Sequence, residues 1–219
     1  MPATKEQKAA INLYANILEE IKHRIAAIDI GTTNRIPVPA PFVREFCYLQ
    51  IRMICELIAL GCLVAHGDIS ATRKSSLQKE WSAETIINAM TDLHPDFFPL
   101  ATKQQTSGSR VHGVDILHPP IMTKEELLRL YGRCGGILHR GNVRKLLKEQ
   151  IPIQINYPEI TAIAQKFQDL LASHMLVMRG GTTMFLCILR NIENDMRVQI
   201  AIVERSEPPK PGEPPLLGD

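Results

Sequence analysis

Apolar residues recur at alternating steps of three and four through the first stretch of the chain, at Ile11, Tyr14, Leu18, Ile21, Ile25 and Ile28. That is the spacing of one face of an α-helix. Glu6, Lys8, Glu19, Glu20, Lys22 and Arg24 fill the other positions, which predicts an amphipathic helix over residues 4–28. Gly31 then stands where a helix-terminating glycine is expected. Residues 41–66, PFVREFCYLQIRMICELIALGCLVAH, are apolar nearly all the way round and open on a proline suited to a first helical position. They predict a second long helix, central and buried on several sides. Arg52 and Glu56 stand four apart on it, within reach of a structural ion pair.

The pattern then shortens. Residues 67–80 are polar and read as a linker or short helix, and SAETIINAMTDL, from Ser82, as a third helix. Between Phe97 and His118 the periodicity loosens around Thr-Ser-Gly-Ser, the signal of a hairpin or irregular excursion. Thr123 with Glu126 three residues later is a capping box, launching the helix LLRLYGRCGGILHRGNVRKLL. Another helix opens at Pro158 and runs through EITAIAQKFQDLLASHM, with Ile160, Ile163, Ala164, Phe167, Leu170 and Leu171 on one stripe. TMFLCILRN and RVQIAIVER follow, rich in β-branched residues and separated by the polar IENDM, and predict an antiparallel hairpin. The tail SEPPKPGEPPLLGD has the composition of a disordered segment.

These elements predict a mainly α fold, a helical bundle with long N-terminal helices and an appended C-terminal antiparallel β-hairpin. The helical domain covers 1–174, with an irregular or hairpin insertion near 97–118. The hairpin, 175–205, packs on the bundle, and the Pro-rich tail is 206–219. The core is expected to hold Ile21, Ile25, Phe46, Leu49, Met53, Leu57, Leu60, Leu127, Leu130, Leu138, Phe167 and Leu170.

Composition narrows the function classes. At 45% hydrophobic and 22% charged over 219 residues the chain is ordinary for a soluble globular protein. A net charge of +2 argues by itself for neither nucleic acid nor membrane. The longest uncharged run of the second helix, LIALGCLVA, falls well short of the roughly 20 residues a bilayer span needs. With no apolar run near the N-terminus to act as a signal peptide, a soluble, cytoplasmic protein is expected. The cysteines are odd in number and form no C-x-x-C pair, which predicts neither disulfides nor a metal site. The string IAAIDIGTTNRI resembles the first phosphate-binding turn of sugar kinases and actin-like ATPases. Its apolar half belongs to the helical stripe, however, and the prolines of RIPVPAP after it prevent the second strand such a turn needs. It reads as a helix end.

Chemistry concentrates in LYGRCGGILHRGN. Gly135 and Gly136 sit inside a helix, where each costs roughly 1 kcal/mol relative to alanine. Such glycines permit a close backbone approach or a break. Around them lie Arg133, His139, Arg140, Arg144, Lys145 and Lys148, the one basic cluster of the chain. Arg133, five intervening residues and His139, in a helical setting, resemble the Arg-x(4–6)-His signature of the HEPN superfamily, many members of which cleave RNA without a metal. LYGRCGGILH is likewise similar to the tyrosine-to-histidine stretch of HEPN-like bacterial proteins. The resemblance implies a metal-independent endoribonuclease, without cofactor, acting as a homodimer in defence or toxin-type systems. His139 would transfer the proton, Arg133 bind the phosphate, and Arg140, Arg144 and Lys145 hold RNA.

The chemistry is sound in its own terms. A histidine titrates near the pH at which a 2′-hydroxyl proton must move, and an arginine stays charged and donates a fork of hydrogen bonds to phosphate oxygens. On a continuous helix, six residues amount to about 240° of rotation. Either the glycines bend the helix or two chains contribute across a two-fold axis, and the resemblance implies the second. The alternative is a non-catalytic helical module that binds a protein partner. In it His139 caps a helix end and Arg133 pairs with Glu125, Glu126 or another surface carboxylate.

Overall fold

The computed structural model describes residues 5–33, 35, 37–67, 72, 75–107, 110–139, 156–191 and 195–204. Their helices are α1 (Lys5–Thr32), α2 (Ala40–Ala65), α3 (Ser75–Gln78), α4 (Ala83–Leu93), α5 (Lys124–Leu138) and α6 (Tyr157–Ala172). Five strands, β1 (Leu100–Ser107), β2 (Arg110–Ile116), β3 (Ser173–Val177), β4 (Thr183–Asn191) and β5 (Arg197–Glu204), form one antiparallel sheet in the order β2-β1-β3-β4-β5. The chain is mainly α, as its periodicity predicts, but the sheet is larger than a hairpin. β3 joins the 100–116 hairpin to the 183–204 hairpin and makes them continuous.

α1 buries the expected stripe of Tyr14, Leu18, Ile21, Ile25 and Ile28 against α2. Gly31 does not end this helix. It lies buried within it, where an added Cβ would come 2.8 Å from Cys47 Sγ, so its role is close helix approach. At the other end of the pair, Gly61 of α2 takes the same role against the Tyr14 ring, whose Cε2 an added Cβ would meet at 2.8 Å. The Thr32 and Thr33 hydroxyls donate to the carbonyls of Ile28 and Asp29 at 3.0 and 2.7 Å. The Gly-Thr-Thr string thus serves its own helix end.

α2 has the length and apolar composition of a membrane span, but 72% of its most apolar window is buried inside the protein. It packs α1 on one flank and α4 and α5 on the other. What remains outward is a strip holding Phe42 and Leu49, 55% and 44% exposed, so Leu49 is not the core residue its neighbours suggest. Phe46, Met53, Leu60, Leu130 and Leu138 are half-buried, while the other expected core positions are buried.

α6 ends at Ala172 and Ser173 is already extended, so Ser173–Val177 is a strand where the apolar pattern continues a helix. His174 and Leu176 face the helices, whereas Met175 and Val177 join Leu100 and Met184 in a smaller cluster on the opposite face. With both faces apolar, β3 lacks the alternation that marks a strand.

Three buried histidines tie helices to this strand. His66 and His94 follow the last residues of α2 and α4, and their Nε2 atoms lie 3.2 and 2.7 Å from the Val177 carbonyl oxygen. The Tyr14 hydroxyl donates to His174 Nε2 at 2.8 Å, and His174 Nδ1–H donates to the Leu171 carbonyl at 3.0 Å. All five cysteines are buried and free.

Candidate functional site

α5 opens on the expected capping box. Thr123 Oγ1 accepts from the Glu126 N–H at 3.2 Å, and the Thr123 N–H donates to the Glu126 carboxylate at 3.1 Å. From there it runs unbroken through Gly135 and Gly136 to Leu138. The glycine pair therefore makes no break, because each has a place in a regular helix. Gly135 makes room for Arg52, whose Nη1 an added Cβ would meet at 3.1 Å, whereas a Cβ on Gly136 would meet nothing within 4 Å. Arg52 is held in turn, donating from Nε to Glu56 at 3.2 Å and from Nη2 to the Tyr131 hydroxyl at 2.7 Å. The Arg52–Glu56 pair is thus structural, as expected, and closes the α2–α5 interface.

Arg133 projects on the α6 side of the helix. Its Nη1 lies 2.5 Å from Glu159 Oε1 in the first turn of α6, and its Nη2 donates to the Tyr48 hydroxyl at 3.3 Å. The carboxylate that pairs with it is therefore neither Glu125 nor Glu126. Arg44, one turn before Tyr48 on α2, places its guanidinium carbon 5.3 Å from the centre of the Tyr48 ring, and that of Arg133 lies 5.9 Å from the same centre. Arg133 holds the Glu159 carboxyl below its ordinary value, against the desolvation that would raise it, with smaller contributions from Arg44 and Tyr48.

His139 lies elsewhere. It is the C-cap of α5, exposed, with its backbone N–H donating to the Gly135 carbonyl at 3.0 Å. Six residues on a regular helix leave it about 120° round the axis from Arg133 and ~9 Å along it. Within one chain the two stand on different faces of α5. Arg140, Arg144 and Lys145 lie outside the described residues, as does the 206–219 tail.

Arg133 and Glu159 stand at one end of a surface groove between the antiparallel α5 and α6, and Lys166 with Glu126 (3.1 Å) at the other. Its volume is ≈ 280 Å³, and Arg129, Met122, Leu130 and Ile163 complete the lining. Three cations face two carboxylates there. A larger depression of ≈ 370 Å³ between α3 and α4 is lined by Glu80 and Asp92 with no cation, which suits no anionic ligand. Among the described residues no three His, Cys, Asp or Glu side chains are grouped to hold a metal ion.

The motif draws attention to Arg133 but not to its companions. Tyr48 is 85 positions away and Glu159 is 26 positions away in sequence, and only tertiary packing joins them. Glu159 reads locally as the acidic residue favoured in a helix's first turn. The one local hint is the four-residue step from Arg44 to Tyr48, which places the guanidinium over the ring. No family model matches the chain, and neither a curated protein nor a solved structure does.

Proposed function

We propose that the protein is a HEPN-like RNA-binding chain and a candidate metal-independent endoribonuclease, whose site is complete only when two copies meet. The setting of Arg133 carries this reading. Its side chain is 48% exposed in a groove with an excess of cations, on the helix whose end presents the exposed His139. Arg133 suits the phosphate and His139 the proton, and their separation on an unbroken helix supports a site shared between two chains of a homodimer. In EDTA, the purified protein should cleave single-stranded RNA, and folded Arg133→Ala and His139→Ala variants should not. Mixing the two inactive variants should restore part of the activity, because one site of the mixed dimer keeps both groups. Cleavage by a strictly monomeric protein would refute the shared site.

A second reading, the non-catalytic helical module that binds a protein partner, is favoured by a separate observation. Glu159 neutralises Arg133, and the His139 backbone merely caps α5. The strip of α2 holding Phe42 and Leu49 would then take the partner. No cleavage at any protein concentration, with folded protein, decides for this reading.

A further inference from the structure

Two guanidinium groups share one aromatic ring in this molecule, and among the described residues only Arg133 is in ion-pair contact with a carboxylate. Arg133 is paired with Glu159, whereas Arg44 has no ion-pair partner among the described residues. Two like charges at one ring repel each other, and a neighbouring anion offsets that repulsion. Glu159 supplies that anion from the first turn of α6, where the positive end of the helix dipole adds to the same potential. Glu159 is also reachable, since its side chain is 31% exposed and that of Arg133 48%.

We propose that Arg44, Tyr48 and Arg133 form a binding site for a phosphate monoester, and that Glu159 occupies it from within the chain until a ligand displaces it. With Glu159 swung out, the site presents two positive charges and a phenolic hydroxyl. A phosphate monoester carries close to two negative charges near neutral pH and three acceptor oxygens, and so matches the pair better than a single carboxylate does. Arginine, unlike lysine, presents a planar fork that can hold two such oxygens at once. Displacement needs a rotamer change of Glu159 alone. α6 keeps its start, because the Asn156 side chain accepts from the Glu159 backbone N–H at 3.1 Å whatever the carboxylate does. Monoesters occur on free nucleotides and on phosphorylated RNA ends, and both present the same group. The inference rests on the assignment of Arg133 to phosphate, but not on RNA cleavage.

The test is a binding titration in phosphate-free buffer with EDTA. The probes are adenosine monophosphate, a 5′-phosphorylated RNA octamer and the same octamer with a 5′-hydroxyl. The 5′-phosphorylated octamer should bind more tightly than its hydroxyl form. Arg44→Ala should weaken that binding roughly tenfold and Glu159→Gln should strengthen it by a similar factor, the scale of one charged contact. Equal affinity for the two octamers would overturn the site, as would a Glu159→Gln variant that is folded by circular dichroism and binds no tighter. Adenosine monophosphate binding as well as the phosphorylated octamer sustains the site and names the free nucleotide as its ligand. Phosphate-selective binding without cleavage sustains the site and removes the ribonuclease reading. Cleavage with no selectivity for the terminal phosphate does the reverse.

Discussion

Acid should unfold this protein earlier than its surface charge suggests, because of one buried histidine. His174 is fully buried, with Nε2 accepting from the Tyr14 hydroxyl and Nδ1–H donating to the Leu171 carbonyl. Both ring nitrogens are satisfied only while the ring is neutral. Desolvation, partly offset by the Leu171 carbonyl, lowers its pKa from 6.5 to about 4. A depressed histidine stabilises fully above its unfolded value, where neither state holds the proton. Below pH 6.5 the unfolded chain takes up a proton that the folded chain refuses until about pH 4, so stability falls as pH falls through that window. The limiting loss, at 1.36 kcal/mol per unit, is about 3 kcal/mol, of which about 2 kcal/mol is lost between pH 7 and pH 5. Urea unfolding of the wild type and of His174→Gln at the two pH values isolates this site. The variant should be weaker at pH 7, yet lose about 2 kcal/mol less on acidification. Equal losses in the two proteins would refute the assignment. Tyr14→Phe offers a second check, since it strands the Nε2 lone pair in the core and should cost about 1–3 kcal/mol at pH 7.

Two glycine substitutions should have opposite signs. In Gly61→Ala the new methyl meets the Tyr14 ring at 2.8 and 3.1 Å, and that ring is held by His174. Overpacking of about 1–3 kcal/mol should outweigh the ~1 kcal/mol gained in helix propensity, giving a lower urea midpoint; a raised midpoint would show that the ring yields. Gly136→Leu has open space in the monomer and should stabilise the isolated chain by up to about 1 kcal/mol. The same change should weaken a dimer joined through α5, which sedimentation would register as a larger dissociation constant; unchanged association places the interface elsewhere.

Local signals carried much of the fold. The α1 stripe, the Thr123–Glu126 capping box, the helix start at Ser82 and the strands 183–191 and 197–204 are each written in a few neighbouring residues, and the structure places them where the sequence does. The failures are those where tertiary context overrides a local rule. Gly31 has the position of a helix terminator, but its lack of a side chain is used against Cys47. SHM is read as the end of a helix, and with Leu176 and Val177 it becomes a central strand because the sheet buries it on both faces. Leu49 carries core chemistry on a strip of α2 that no described residue covers. For the candidate site, sequence supplied Arg133 and His139. It could not supply Arg44, Tyr48 or Glu159, whose proximity depends on how α2, α5 and α6 pack.

Whether Arg133 and His139 can act on one substrate turns on the backbone between them. An interior glycine weakens a helix, so its presence calls for an offsetting use. For Gly135 the use lies within the chain: the Arg52 guanidinium sits where a side chain would be, bonded to Glu56 and Tyr131. Among the described residues Gly136 has no such use, being exposed with open space beside it. It also did not buy a bend, since α5 stays regular past it. What a bare glycine on a regular, exposed helix does allow is a close approach by another backbone. The two-chain reading offers that backbone on the segment between Arg133 and His139, where Gly136 meets no partner among the described residues of one chain.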